Sequence, residues 1–351
     1  MKPNQRIHYI DVLNCIAIMF VLLLHSSQLA NVGSKNSTFY LLTKLMQIIF
    51  IPAVYIFFMN SGATLLNYRE KYSTKVFYEK RIKRVLIPFL FWTIAYYIFD
   101  SRFYAFPGPI FQSQLGIRNF VTAFANNNIN NLFWFFYAIL ALYLVTPMLS
   151  VLAKSHKKLL LGIVFGYFVF SDLLDYFSKL ISINLDTRYI NQPLIASSYL
   201  GYFVIGYLIK ENYFSLKQEN LLIIAGQICL ILNIINAVTN NRYLLINNIG
   251  PFLYSVSFYL IVVRFVKHSH SNFKLAKWLS GASLGIYILH PIAYAIFDKI
   301  FFKTSFRFFD NYLKTLNNPI HILLMPFVVY FAISIPLHYL KRIKLVKALI
   351  P

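Results

Sequence analysis

Acidic residues are scarce in this chain. It has 11 Asp and Glu against 33 Lys and Arg, for a formal net charge of +22. Charged residues of both signs fill only 13% of its 351 positions, where globular domains run near about 25%. Too few charges are present to clothe a soluble surface. Cysteine is nearly absent. Cys15 and Cys229 both lie inside apolar runs without metal-ligand spacing, which argues against a structural disulfide and a metal site. No Gly/Ser or Pro linker, low-complexity tract or internal repeat divides the chain. In their place the chain is 58% hydrophobic and 18% aromatic, with a mean hydropathy of +0.60. That composition belongs to a polytopic membrane protein.

The expected fold is all-α, a membrane helix bundle of about ten spans forming one integral-membrane domain over 1–351. The apolar runs place helices near 10–30, 38–66, 85–100, 131–153, 159–177, 196–210, 220–239, 245–266, 279–298 and 319–340. Pro52 is expected to kink the second. The first run continues through His25 and Ser26 without a small-residue cleavage site, so it reads as an uncleaved anchor. With the N-terminus inside, 22 of the 33 basic residues fall on cytoplasmic segments. This bias predicts cytoplasmic N- and C-termini. It also explains the net charge through membrane lipids, with no nucleic-acid partner.

Several residues could carry chemistry. In IDVLNCIAIMFVLLLHSSQ, His25 follows an unbroken apolar run. An imidazole there is costly unless it faces the protein interior, which marks a functional candidate. A position at the outer end of the helix, reaching interfacial water, is the competing reading. The segment KRIKR holds Lys80, Arg81 and Arg84. It serves either as a positive-inside anchor or as a phosphate site, since arginine forks match phosphate oxygens. In LGIYILHP, Tyr287 and His290 precede Pro291, which frees a carbonyl one turn earlier. Trp134 and Tyr143 read as aromatic packing. Gly201 and Gly206 read as helix-contact positions. Asp11 complements the start of helix 1. Asp172 and Asp175 sit on one helix face, either in outer water or as an ion relay. His268 and His270 lack a third ligand, so no metal is expected.

Four of these strings, in order, resemble the acyltransferase-3 family. They are the Ile-Asp…His of helix 1, Arg81-x-x-Arg84 before Ile87-Pro88, Trp134…Tyr143…Pro147, and the Tyr287…His290-Pro291 string. Two positions depart from the family pattern. Most members carry Arg eleven residues before the His, where this chain has Asn14. Many carry His two residues before the Trp, where this chain has Leu132. The resemblance implies a membrane O-acyltransferase in the bacterial cytoplasmic membrane. It would move an acetyl group from cytoplasmic acetyl-CoA to a hydroxyl of a surface polysaccharide or its lipid-linked precursor. It further implies His25 as general base or transient acyl carrier, with Asp11 orienting a neighbour. Lys80, Arg81 and Arg84 would hold the coenzyme. Asn14, Trp134, Tyr143, Tyr287 and His290 would line the substrate pocket. Two other classes compete: a flippase or exporter of a polysaccharide unit, with Asp172 and Asp175 as its hint, and a catalytically silent scaffold in a polysaccharide assembly complex. The acceptor, the acyl chain and the oligomeric state are not legible from these residues.

Overall fold

The computed structural model describes residues 6–103, 115–173, 198–239, 248–269, 271–303 and 315–350. Among the described residues every regular element is a helix, and eight helices are long and apolar enough to cross a membrane. The remaining two expected spans fall on Lys157–Phe168, which runs on through a π turn to Leu173, and on a shorter apolar helix at Ser198–Lys210. Asp175 and His270 lie outside the described residues.

The chain opens with α1 (His8–Ser26), α2 (Tyr40–Ile49) and α3 (Pro52–Leu65). Pro52 breaks the second span as expected. It sits at the start of α3, where a missing N–H costs nothing. Next come α4 (Thr74–Arg81), a π turn at Ile82–Leu86, and α5 (Ile87–Phe103). The basic segment between the second and third expected spans is therefore helical. One buried ring anchors it: Phe77 packs on Tyr68 at 4.4 Å and edge-on to Tyr143 at 6.2 Å. The widened turn has a local cause. In a regular helix the ring of Pro88 would meet the carbonyl of Arg84, and a π turn gives it room. The same device recurs at Ile320–Leu324, just before Pro326. The chain continues through α6 (Ile117–Ala125), α7 (Trp134–Ser155), α8 (Lys157–Phe168), α9 (Ser198–Lys210), α10 (Leu216–Thr239) and α11 (Ile249–His268). It closes with α12 (Lys274–Ser280), α13 (Ser283–Phe302), α14 (Met325–Leu340) and α15 (Lys344–Leu349).

These helices form two compact units. One comprises residues up to Phe20, 48–77 and 141–277. Its centre is the contact of α3 with α9, where backbones meet at glycine. A methyl on Gly206 would lie 2.1 Å from the Met59 carbonyl oxygen, and one on Gly62 would lie 1.6 Å from that of Phe203. Tyr55 and Tyr202 stack beside them at 4.1 Å. Asp172 belongs to this unit and accepts hydrogen bonds from the Asn248 side chain at 2.9 Å and the Ile249 backbone N–H at 2.7 Å. It thereby satisfies an orphan donor at the start of α11, a structural task.

The other unit comprises residues 21–47, 78–140 and 278 onward. Its core is aromatic, with Phe89 stacked on Phe136 at 5.0 Å and Tyr96 edge-on to Phe133 at 5.1 Å. The chain after α14 is latched to α5 by Trp92, whose indole donates to the Leu349 carbonyl at 2.9 Å.

Candidate active site

In the second unit, His25 stacks on His290, ring centroids 4.9 Å apart at 24°. The reason lies in Pro291. It cannot donate to the carbonyl of Tyr287, and the Nδ1 of His290 takes over that carbonyl at 2.8 Å, with the Ile286 carbonyl at 3.1 Å. Carbonyls only accept, so Nδ1 carries the hydrogen, and Nε2 is the bare nitrogen of the neutral ring. That Nε2 is buried without a hydrogen-bond partner among the described residues, and His290 is 0% exposed. Tyr96 donates to the next carbonyl, that of Ile288, at 2.6 Å. The Tyr287 hydroxyl donates to the carbonyl of Leu132. The turn of α13 before Pro291 is thus tied by side-chain hydrogen bonds from Tyr96, Tyr287 and His290.

His25, half-buried, lies in the last turn of α1. The carbonyls exposed there are satisfied by neighbours. Gln47 donates to the Leu24 carbonyl at 2.7 Å, and Ser27 to that of Leu23 at 2.7 Å. Ser26 donates at 2.9 Å to the Ile322 carbonyl, the one that Pro326 leaves free. Further along α13, Tyr294 donates to the Leu22 carbonyl at 3.0 Å, and its ring lies 5.6 Å from that of His321. His321 pairs with Asp298 at 2.9 Å. Tyr287, His290, Tyr294 and Asp298 follow one another at spacings of three and four, so they line one face of α13.

At the start of the same helix, this unit holds a cavity of about 1050 Å³. Arg81 at the end of α4 lines it with Lys83 and Arg84 of the π turn, and Lys341, Arg342, Lys344 and Lys347 line it from the segment after α14. Trp278, His338 and residues around Gly281 also line it, and none of the lining residues is a carboxylate. Lys341 donates to the Gly281 carbonyl at 2.5 Å. Burial lowers its ammonium to about 8, and the charge of Lys347 adds to the effect. A cavity lined by this many cations suits a multiply charged anion such as a pyrophosphate.

The second unit thus brings His25, Tyr287 and His290 together, and sets Arg81 and Arg84 in the cavity. Lys80 does not line it. Trp134 opens α7 in this unit. Asp11, Asn14 and Tyr143 belong to the first unit. There Arg6 donates through Nε and Nη2 to both oxygens of Asp11, at 2.7 and 2.8 Å. Asn14 accepts from Asn60 at 2.9 Å, and Asn60 accepts from Tyr259 at 3.0 Å. The position where family members carry Arg is therefore held in a neutral amide–phenol chain. Sequence reasoning missed the cations of 341–347 as a site, together with Trp278, His338 and the Asp298–His321 pair. The run KRIKLVK was visible, but topology alone already accounted for it.

The family model of the acyltransferase domain matches residues 7–339. No curated protein and no solved structure matches the chain. One family model thus spans both units, from just before α1 to the end of α14, and the chain is a multi-pass membrane protein of the acyltransferase-3 family.

Proposed function

We propose that the protein transfers an acyl group, most simply acetyl, from cytoplasmic acyl-CoA to a hydroxyl of a surface polysaccharide or its lipid-linked precursor. The bacterial cytoplasmic membrane is the setting. The observation that carries this reading is the cation-lined cavity at the head of α13, the same helix that presents His290 to His25. The phosphates of the coenzyme occupy the cavity. From Leu284 at its wall to His290 is six residues of helix, a rise of about 9 Å. The pantetheine arm spans that distance and more. His25 acts at the thioester. As general base it takes the acceptor's proton while the hydroxyl oxygen bonds to the thioester carbon and the C–S bond breaks, and the thiolate then recovers the proton. A placed imidazole contributes about 10²–10⁴-fold to such a step.

Two tests address the donor. Arg81→Ala with Arg84→Ala is expected to raise KM for acyl-CoA by roughly 10- to 100-fold, the effect of losing charge-assisted contacts of about 1.5–3 kcal/mol. Since those contacts are made equally in ground and transition states, kcat changes little. A fall in kcat at constant KM would place the arginines elsewhere.

The second test is pH. Lys341 attracts phosphate only while protonated, and its proton leaves as pH rises through about 8. Acyl-CoA binding is therefore expected to be roughly tenfold weaker at pH 9.5 than at pH 7, on the scale of one charge-assisted contact. His338→Gln removes the one imidazole lining the cavity as a contributor. Lys341→Gln in that background should flatten the profile, and a profile that stays steep would assign the titration to another group.

A further inference from the structure

One wall of the cavity is aromatic, and the charges do not explain it. Trp278 closes the α12 segment, and its ring lies 4.7 Å from that of His338 on α14, tilted at 41°. A tryptophan at a membrane boundary is ordinarily an anchor whose ring faces lipid head groups. Trp278 instead lines the cavity, half-buried, together with the cations Arg81, Lys83 and Arg84 and those of the segment after α14. His338 is exposed and lines the same cavity. Flat π surfaces beside a cluster of phosphate-binding cations are the elements of a nucleotide site: the cations take the phosphates, and the rings take the base.

We propose that Trp278, backed by His338, is the stacking platform for the purine of a nucleotide-bearing donor in this cavity. The assignment rests on the reading that acyl-CoA is the donor, and it divides the cavity into two parts. Arg81, Arg84, Lys344 and Lys347 hold phosphate. Trp278 holds the base and sets the preference for a nucleotide over a simple phosphate or a lipid head group. Nothing in the family resemblance or the family match points to these two rings.

The test uses the full-length protein in phosphatidylcholine nanodiscs and three probes: adenosine 3′,5′-bisphosphate, inorganic pyrophosphate and acyl-CoA. Trp278→Ala is expected to weaken the bisphosphate and acyl-CoA by roughly 5- to 100-fold, the range for loss of one base-stacking ring, and to leave pyrophosphate within about twofold. Trp278→Phe should recover most of the loss. Equal weakening of all three probes means the wall has collapsed, and unchanged binding of all three means the ring faces no base. Either result overturns the platform while leaving the acyl-CoA reading intact. If the wild type binds neither nucleotide probe, yet is stabilised by added phosphatidylglycerol, the cavity serves a lipid head group. The platform and the donor reading then fall together.

Discussion

Replacing His25 with alanine is expected to cut acyl transfer by at least about a hundredfold while acyl-CoA still binds. The two halves of that expectation come from different places. Binding is proposed for the cavity between the π turn and the segment after α14, whose lining does not include His25. Chemistry needs an imidazole that a substrate can reach, and His25 is the half-buried member of the stack. His290 is fully enclosed and its Nδ1 is committed to backbone carbonyls. Thiol release with a crude surface-polysaccharide acceptor measures the rate. Thermal stabilisation by acyl-CoA, about 2.7 kcal/mol at a hundred times Kd, shows that the variant is folded and loaded. Undiminished turnover in a loaded variant would leave His25 a packing residue and move the base to His290.

The largest effect on stability is expected at Gly206. A valine there, or an alanine at Gly62, should abolish recovery of folded protein. At Gly206 even the first added carbon meets backbone, at 2.1 Å from the Met59 oxygen and 2.6 Å from its Cα. Side chains can rotate away from a clash, but backbone atoms of a packed helix cannot. The cost should therefore exceed the usual ~1–3 kcal/mol of overpacking. Gly162 and Gly166 on α8 are the controls, because nothing lies within 4 Å of an added methyl at either position. Alanine there should be neutral, or stabilising by up to about 1 kcal/mol through helix propensity. Melting of detergent-solubilised variants, followed by size-exclusion chromatography, separates the two pairs. Intact Gly206→Val protein would mean that α3 and α9 do not meet at these glycines.

The sequence shows helices well and their neighbours poorly. His25, the His290-Pro291 pair and Gly206 could all be singled out because their meaning is local: an imidazole after an apolar run, a proline beside a histidine, a small residue among aromatics. Half of the cavity was equally visible in KRIKR. Its other half was not, because Lys341 and Arg81 lie 260 positions apart and only packing joins them. Basic residues beside a membrane helix already have a reason to be there, so their second use leaves no mark on composition. The Asp298–His321 pair was hidden in the same way, each partner looking like the polar end of its own helix. The helix over Thr74–Arg81 was obscured by its charge, which outweighed the single buried ring of Phe77.

The split origin of the cavity also sets an order of events at the ribosome. Arg81 and Arg84 enter the membrane region early, whereas Lys341 to Lys347 are synthesised after every spanning helix described. Until α15 is in place, with Trp92 donating to the Leu349 carbonyl, the cavity has one of its two cationic walls. If the cavity holds the donor's phosphates as proposed, a bundle without that second wall is expected to bind donor weakly, and loading waits until α15 has docked.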